Sequence, residues 1–145
     1  MSPLVRRYLK TAIAFLLIGL GLGFWMLLGR EFGVPVAWRL RSAHTHALLV
    51  GFVLMMIAGV ALWMFPRPRA GEAKHHPLLA EIAWWGIAGG TGVRVLLESW
   101  PGTHQGVAWR ATIVVAAALQ VAGLGLFFVA LWPRIRSSGA KTEVR

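Results

Sequence analysis

The sequence contains no cysteine and few acidic residues. Its 145 residues include no cysteine, a single tyrosine and only five aspartates plus glutamates. The absence of cysteine excludes disulfide bonds, thiolate-bound metals, iron–sulfur clusters and covalent Cys-x-x-Cys-His haem attachment. Fifteen lysines plus arginines give a formal net charge of +10. In a soluble protein this balance favours a nucleic-acid partner, but basic residues also flank membrane helices and contact anionic lipids.

Long hydrophobic stretches decide between these two interpretations. Hydrophobic residues make up 57% of the chain and charged residues 14%, and the hydrophobic residues form four blocks close to membrane-spanning length. We therefore predict an all-α, integral membrane four-helix bundle that is surrounded by lipid and binds no nucleic acid. The helices are expected at residues 11–28, 43–65, 78–97 and 107–132. Residues 1–136 would form this single domain, and residues 137–145 a disordered cytoplasmic tail.

The distribution of lysine and arginine predicts the orientation in the membrane. With four crossings, the N-terminus, the loop after the second helix and the C-terminus share one side, which is richer in these residues than the other. The first side carries Arg6, Arg7, Lys10, Arg67, Arg69, Lys74, Arg134, Arg136, Lys141 and Arg145, and the second carries Arg30, Arg39, Arg41, Arg94 and Arg110. Both termini should therefore face the cytoplasm of a bacterial-type inner (plasma) membrane. The second helix then begins near the outer face.

Two histidines stand where the second hydrophobic stretch begins. Ionisable residues in a membrane segment are functional candidates by default. His44 and His46 are two positions apart, which is about 200° of rotation on an α-helix, so they face nearly opposite sides. Neutral imidazole is a common axial ligand of haem iron, and the small neighbours Ala43, Ala47 and Gly51 leave space for a flat macrocycle. The alternative is a pair of hydrated histidines at the membrane interface.

The stretch around these histidines resembles the tenth transmembrane helix of the catalytic subunit (subunit I) of heme-copper oxidases. That helix carries an Ala-His-x-His stretch, a following glycine and a Trp-x-Pro or Phe-Pro exit. The corresponding residues here are Ala43-His44-Thr45-His46, Gly51 and Trp63-Met64-Phe65-Pro66. The resemblance implies that His44 binds the iron of a high-spin haem and His46 that of a low-spin haem. It also implies that the chain is one four-helix arc of the twelve-helix, three-arc subunit, like small four-helix relatives of that subunit.

Other parts of the oxidase site are missing from the sequence. The copper centre of the family needs three further histidines on other helices and a tyrosine beside them. The other predicted helices contain no histidine, and the only tyrosine is Tyr8. We therefore do not expect the chain to reduce oxygen on its own. Because His44 and His46 diverge, a haem with two histidine ligands needs a second copy of the chain, so a homo-oligomer is expected, with a trimer favoured over a dimer.

Arginines on the histidine side are candidate partners of haem propionates, since guanidinium pairs with carboxylates through two parallel hydrogen bonds. The candidates are Arg39, Arg41, Arg94 and Arg110, and the alternative for each is ordinary flanking charge. Arg94 lies inside the third helix, where Glu98 at i+4 can neutralise it. His104, in a loop on the same side, is a further candidate metal ligand. His75 and His76 lie in the opposite loop and are expected to be solvated.

These observations predict a membrane protein that binds haem b non-covalently through His44 and His46. Two histidine ligands on one iron favour electron transfer, whereas one ligand favours the binding of a diatomic gas such as nitric oxide or oxygen. The first alternative is a copper-carrying or metal-free accessory or assembly protein of a respiratory oxidase-type complex; copper would be held by the histidines together with Met26, Met55, Met56 and Met64. The second is an independent structural membrane protein in which the histidines are incidental. The sequence identifies no redox partner.

Overall fold

The computed structural model describes residues 1–65, 77–100 and 106–135. These residues form four long helices, which we label α1 (Pro3–Phe32), α2 (Leu40–Met64), α3 (Pro77–Ser99) and α4 (Val107–Leu131), followed by a 3-10 turn at Trp132–Arg134. The predicted all-α fold is confirmed for this part of the chain. The predicted C-terminal tail and the loops that contain His75, His76 and His104 lie outside the described residues.

Three of the helices are long and apolar enough to cross a membrane. They are α1, α2 and the segment formed by α4 with its 3-10 turn, Val107–Arg134. The sequence analysis predicts four crossing helices, and α3 has 23 residues, which is sufficient length. However, α3 is not among the three apolar helices, because Glu81, Arg94 and Glu98 and several glycines lower its mean hydropathy.

Helix α1 extends beyond both ends of the predicted segment 11–28. It begins after Ser2, whose Oγ accepts a hydrogen bond from the Val5 N–H at 3.3 Å, as an N-cap residue does. It ends at Gly33, which has a φ of 69° and donates its N–H to the Gly29 carbonyl oxygen at 3.1 Å. The basic residues before Thr11 are therefore helical, although their charge places them outside the apolar block.

Helix α2 contains a change of helical type directly after the two histidines. Residues Leu40–His46 are α-helical, Ala47–Leu54 form a π-helix, and Met55–Met64 are α-helical again. A π-helix has i→i+5 hydrogen bonds and is wider than an α-helix, and such segments are frequent at functional sites. Both histidines lie in the α-helical part. Their two-residue spacing therefore turns the two side chains to nearly opposite sides of the helix, as expected.

All four helices contribute to one hydrophobic core. Tyr8 of α1, Met55 of α2, Ile87 of α3 and Phe127 of α4 are buried in the same cluster. Tyr8 donates its hydroxyl to the Ala80 carbonyl oxygen at 2.8 Å, which links α1 to α3. The described residues thus form one bundle, in agreement with the predicted architecture.

Helices α3 and α4 approach each other through small residues. A Cβ atom placed on Gly90 would lie only 2.5 Å from the Ala116 carbonyl oxygen, so the two backbones are in direct contact there. Such close approach through glycine is typical of helix pairs in membranes. The face of α3 that carries Gly90 is therefore held directly against α4.

A buried arginine joins the carboxyl-terminal ends of α2 and α4. Arg134 Nη2 donates to the carbonyl oxygens of Leu62 at 3.0 Å and Phe65 at 2.8 Å. The last carbonyl groups of a helix have no partner within it, and a cation is favourable at this end of the helix dipole. The sequence predicts only a cytoplasmic cation at Arg134, because its partners are backbone atoms distant in sequence.

Candidate functional site

His44 packs against α1 with a fixed orientation of its ring. Its Nδ1 lies 2.8 Å from the carbonyl oxygen of Gly19. A carbonyl oxygen can only accept, so Nδ1 carries a proton and donates. In the neutral ring Nε2 then holds the lone pair, and no described residue forms a hydrogen bond with it. An Nδ1–H bound to a backbone carbonyl is the usual outer contact of a metal-ligating histidine.

Gly23 provides the space for this imidazole. A Cβ atom on Gly23 would lie 2.8 Å from Cε1 and 3.2 Å from Nδ1 of His44. Any side chain larger than hydrogen would therefore displace the ring. Gly19 and Gly23 are four positions apart, so one face of α1 supplies both the hydrogen-bond acceptor and the surface against which the ring packs.

A cavity is lined by Gly23, the residue beside the His44 ring, although His44 itself is not among its lining residues. The cavity has a volume of about 730 Å³ and lies between the end of α1 and residues 36–41. We call it the Gly23 cavity; it is lined by Gly23, Met26, Leu27, Arg30, Val36, Ala37, Trp38 and Arg41. It therefore combines apolar walls with two guanidinium groups. Arg41 is one of the predicted propionate partners, whereas the sequence analysis considered Arg30 only in the charge balance.

His46 faces the opposite side and is engaged by Arg94. Nη1 of Arg94 lies 2.8 Å from Nε2 of His46. Guanidinium has only donors, so Nε2 accepts and carries no proton. Nδ1 of His46 lies 2.9 Å from the Ser42 carbonyl oxygen and donates to it. His46 is thus held in the Nδ1–H tautomer, but the lone pair that a metal would need already accepts a hydrogen bond from Arg94.

Arg94 is the centre of a buried polar network between α2, α3 and α4. Both Nε and Nη2 donate to Oε1 of Glu98, at 3.0 and 2.7 Å, which confirms the expected i, i+4 pair. Nη1 also donates to Gln120 Oε1 at 3.3 Å, and Gln120 Nε2 donates to Thr91 Oγ1 at 2.8 Å. Thr91 and Ser42 are not among the residues predicted from the sequence. Thr91 could have been predicted, because Thr91, Arg94 and Glu98 lie on one face of α3.

A second cavity lies beside this network. It has a volume of about 300 Å³ and lies between the start of α2, the end of α3 and the start of α4. We call it the Glu98 cavity; it is lined by Trp38, Arg39, Ser42, Glu98, Arg110, Ile113 and Val114. The guanidinium carbon of Arg39 lies 4.8 Å from the centroid of the Trp38 ring. Trp38 lines both cavities and therefore stands between them.

The four arginines predicted as a single set of propionate partners are therefore divided among three places. Arg41 lines the Gly23 cavity, Arg39 and Arg110 line the Glu98 cavity, and Arg94 lies in the buried network. Their spacing in sequence could not show this division, because it depends on how the connection between α1 and α2 crosses the end of the bundle. His104, the remaining candidate ligand, lies outside the described residues.

The methionines and histidines do not converge on one metal site. Met26 lines the Gly23 cavity, Met55 is fully buried in the core, and Met64 is 69% exposed. Within residues 1–65, 77–100 and 106–135, no group of three or more histidine, aspartate or glutamate side chains is placed to hold a metal ion. A single axial ligand to an iron macrocycle requires no such group.

Comparison with known protein families, curated proteins and solved structures gives no match to this chain. The resemblance of residues 43–66 to the oxidase helix therefore has no support outside the sequence itself. A function must instead be inferred from the chemistry of the two histidines, the two cavities and the buried network.

Proposed function

We propose that this chain is an integral membrane protein that binds haem b non-covalently through His44. The observation that carries the proposal is the state of the His44 ring. Nδ1 donates to the Gly19 carbonyl oxygen, so the ring is oriented in advance and its Nε2 lone pair is available to iron. Haem, when bound, would supply an iron centre that carries one electron or binds a diatomic gas.

The residues of the Gly23 cavity fit this group. Met26, Leu27 and Val36 offer apolar walls to a macrocycle, and Trp38 offers an aromatic one. Arg30 and Arg41 bring two guanidinium groups to the same cavity. Arg30 already pairs with Glu31 through Nε at 2.7 Å, so Arg41 is the better candidate partner of a propionate carboxylate. The volume of about 730 Å³ lies within the range of small-molecule sites.

One histidine ligand per chain follows from the hydrogen bonds of His46. Its Nε2 accepts from Arg94 at 2.8 Å, and Arg94 is tied in turn to Glu98 and Gln120. His46 can reach iron only after this arginine moves away. An iron bound by His44 alone keeps an open coordination position, so we favour the binding of a diatomic gas such as nitric oxide or oxygen.

Electron transfer is the second candidate, and the exposure of the Gly23 cavity favours it. Trp38 is 77% exposed and Leu27 43% exposed, so part of the cavity wall can be covered by a second copy of the chain. A homo-oligomer could then supply a second histidine to the same iron. Such an arrangement is compatible with the expected homo-oligomer, for which a trimer is favoured over a dimer.

All four helices cross the membrane in this proposal. Helix α3 is in backbone contact with α4 at Gly90, and α4 is apolar enough to span a membrane. Helix α3 therefore lies at the same depth in the membrane as α4. Its polar face points into the bundle, where Arg94 and Glu98 neutralise each other. Four crossings place both termini on one side, and the excess of basic residues assigns that side to the cytoplasm.

The two cavities then lie near the outer face of a bacterial-type inner membrane. Exposed tryptophans at both ends of the bundle suit the two interfaces; they are Trp25, Trp38 and Trp100 at one end and Trp63, Trp85 and Trp132 at the other. We further propose that the chain is a distant, single-arc relative of the heme-copper oxidase catalytic subunit. On its own it is not expected to reduce oxygen.

Absorption spectra of the purified protein test the proposal. The protein is expressed in haem-supplied cells, purified in detergent and compared with His44→Ala and Thr45→Ala. The wild type and Thr45→Ala should show a Soret band, and His44→Ala should lose it. Thr45 is the matched control because it is adjacent and exposed, and its hydroxyl donates only to the Arg41 carbonyl oxygen. An unchanged Soret band in His44→Ala would refute the assignment.

A further inference from the structure

Two cations on α1 stand apart from the others at the end of the bundle where the chain begins. The basic side chains that the structure describes at this end are Arg6, Arg7, Lys10 and Arg134. Arg7 donates to Glu81 at 2.6 Å, and Arg134 donates to backbone carbonyl oxygens of α2. Arg6 and Lys10 are exposed, and neither pairs with a described acidic residue. They are therefore the two cations at this end that are free to bind an external anion.

The positions of these two cations allow them to meet the same anion. Arg6 and Lys10 are four residues apart, so they lie on one face of α1, about one helical turn from each other. Side chains of a helix tilt toward its N-terminus, so the long Lys10 side chain extends back toward the turn that carries Arg6. Lysine side chains reach toward a membrane surface in this way. The guanidinium and the ammonium can therefore contact one phosphate group.

The same face of α1 continues toward the other end of the bundle as an exposed apolar strip. The strip follows Lys10 at alternating spacings of three and four residues, which keeps its members on one face. They are Ile13, Leu17, Leu20 and Phe24, with exposed fractions of 49%, 65%, 55% and 62%. Only 17% of the most apolar part of α1 is buried, compared with 33% for α2 and 22% for α4. Hydrocarbon chains can therefore lie along α1 directly beyond the two cations.

Charge decides between the two occupants that this face could take. Copies of one chain share a single orientation in the membrane, so a second copy on this face would place Arg6 and Lys10 beside their own counterparts. Like charges at such a contact are destabilising. A phospholipid with a negative headgroup instead brings the opposite charge to the cations and acyl chains to the strip.

We propose that this face of α1 binds an anionic phospholipid. Its phosphate lies between Arg6 and Lys10, and an acyl chain lies along Ile13 and Leu17. This site goes beyond the proposed haem function, because it requires neither His44 nor haem.

Fluorescence quenching at a single cysteine measures this binding in a bilayer. Leu17→Cys, in a chain with no other cysteine, is labelled with bimane and reconstituted without haem into phosphatidylcholine vesicles. Part of the lipid is then replaced by phosphatidylglycerol or phosphatidylcholine with brominated acyl chains, which quench bimane on contact. One cation near an anionic lipid is worth about a five-fold gain in affinity, so two predict a preference for phosphatidylglycerol of at least about five-fold.

A label on α4 is the matched control. The rings of Tyr8 and Phe127 are in contact, with centroids 5.9 Å apart, so α1 and α4 are level there. Leu17 is nine residues beyond Tyr8, and Leu119 is eight residues before Phe127. Leu119 is 49% exposed, so bimane at Leu119→Cys reports on lipid at a similar depth and should show a smaller preference. Equal preferences at the two labels would overturn the proposal.

Removing the two cations together tests the contact with the phosphate. Arg6→Gln combined with Lys10→Gln should lower the preference at the α1 label to the value at the α4 label. Arg30→Gln combined with Arg39→Gln removes the same net charge at the other end of the bundle, and should leave the preference at the α1 label unchanged. If the two double variants behave alike, net charge and not this face attracts the lipid, and the site is refuted.

The same measurements distinguish the other occupant and the haem proposal. Weak quenching by both brominated lipids at the α1 label would mean that a second copy covers this face, which contradicts a lipid site. His44→Ala should retain the preference for phosphatidylglycerol. Failure of the haem proposal and failure of this one therefore give different results.

Discussion

His44 and His46 are separated by one residue, yet their rings have different environments. Both donate Nδ1–H to a backbone carbonyl oxygen, that of Gly19 for His44 and that of Ser42 for His46. The difference lies at Nε2, which accepts from Arg94 in His46 and has no described partner in His44. Nε2 is therefore available to a metal ion in His44 but not in His46, although the Ala-His-x-His pattern presents the two histidines as equivalent.

Gly23→Ala should weaken haem binding although it leaves the ligand His44 in place. The new Cβ would lie 2.8 Å from Cε1 of His44, so the ring must shift and lose its bond to Gly19. Loss of such an outer contact typically lowers affinity about 10- to 100-fold. Gly21→Ala is the matched control, since a Cβ there meets nothing within 4 Å. Titration of haem into both variants checks this, and equal affinities would contradict the role of Gly23.

Arg94→Met should destabilise the fold much more than Arg7→Met. Arg94 is paired with a buried carboxylate, and removing one member of a buried pair costs about 3–5 kcal/mol. Arg7 is bonded to Glu81 in a pair whose side chains are 50% and 44% exposed, and such pairs contribute at most about 1 kcal/mol. Denaturant unfolding followed by circular dichroism compares the two. Similar losses would show that the Arg94 network is not a buried unit.

At the scale of elements, α3 is the helix that differs most from its expected character. It was predicted as a fourth apolar span, but its hydropathy is lowered by the residues that build the network with His46. Its glycines place it against α4, and its polar face is turned inward. Its outward-facing residues, such as Ile82, Trp85 and Leu96, are nevertheless apolar, whereas α1, α2 and α4 are the three helices that are apolar enough along their length to span a membrane.

Gly90→Ala tests the contact of α3 with α4. A methyl group would lie 2.5 Å from the Ala116 carbonyl oxygen, so the helices must separate, and such overpacking costs about 1–3 kcal/mol. Gly89→Ala places the same methyl group where nothing lies within 4 Å, and should be neutral or stabilising by up to about 1 kcal/mol. Unfolding free energies of the two variants provide the test. Equal values would argue against close α3–α4 packing.

The helices could be predicted from the sequence because their apolar blocks are long and end at glycine or proline. The residues at which the helices begin and end, and the side-chain contacts between helices, could not be predicted from the sequence. The start of α1 at Pro3 is capped by Ser2, ahead of the apolar block, and no pattern in the sequence marks Ala47–Leu54 as π-helical. The pairing of Arg94 with Glu98 followed from their spacing, whereas its bond to His46 joins residues that are 48 positions apart. Such contacts exist only once the helices are packed.

At the scale of the whole molecule, both cavities lie at the end of the bundle where α2 begins. Trp38 lines the two of them, and the Arg134 contact closes the opposite end of α2. The two cavities are therefore neighbours at one end of the bundle, while the hydrophobic core around Tyr8 and Met55 occupies the other. Tyr8 is roughly 16 Å along α1 from Gly19, from a rise of 1.5 Å per residue.

The orientation can be tested directly because the chain has no cysteine of its own. Ser2→Cys should react with a membrane-impermeant thiol reagent only after the cells are permeabilised, because the N-terminus is cytoplasmic in our proposal. Val36→Cys, next to the Gly23 cavity, should react in intact cells. The opposite pattern would invert the orientation and place both cavities on the cytoplasmic side.

The most direct test of the haem proposal is the rescue of His44→Gly by imidazole. The substitution removes the ligand and leaves a space that free imidazole can enter beside Gly23 and the Gly19 carbonyl oxygen. We expect no Soret band in this variant alone, a Soret band on adding imidazole, and a shift of the wild-type spectrum with carbon monoxide. A Soret band in His44→Gly without imidazole, or none in the wild type, would contradict His44 as the haem ligand.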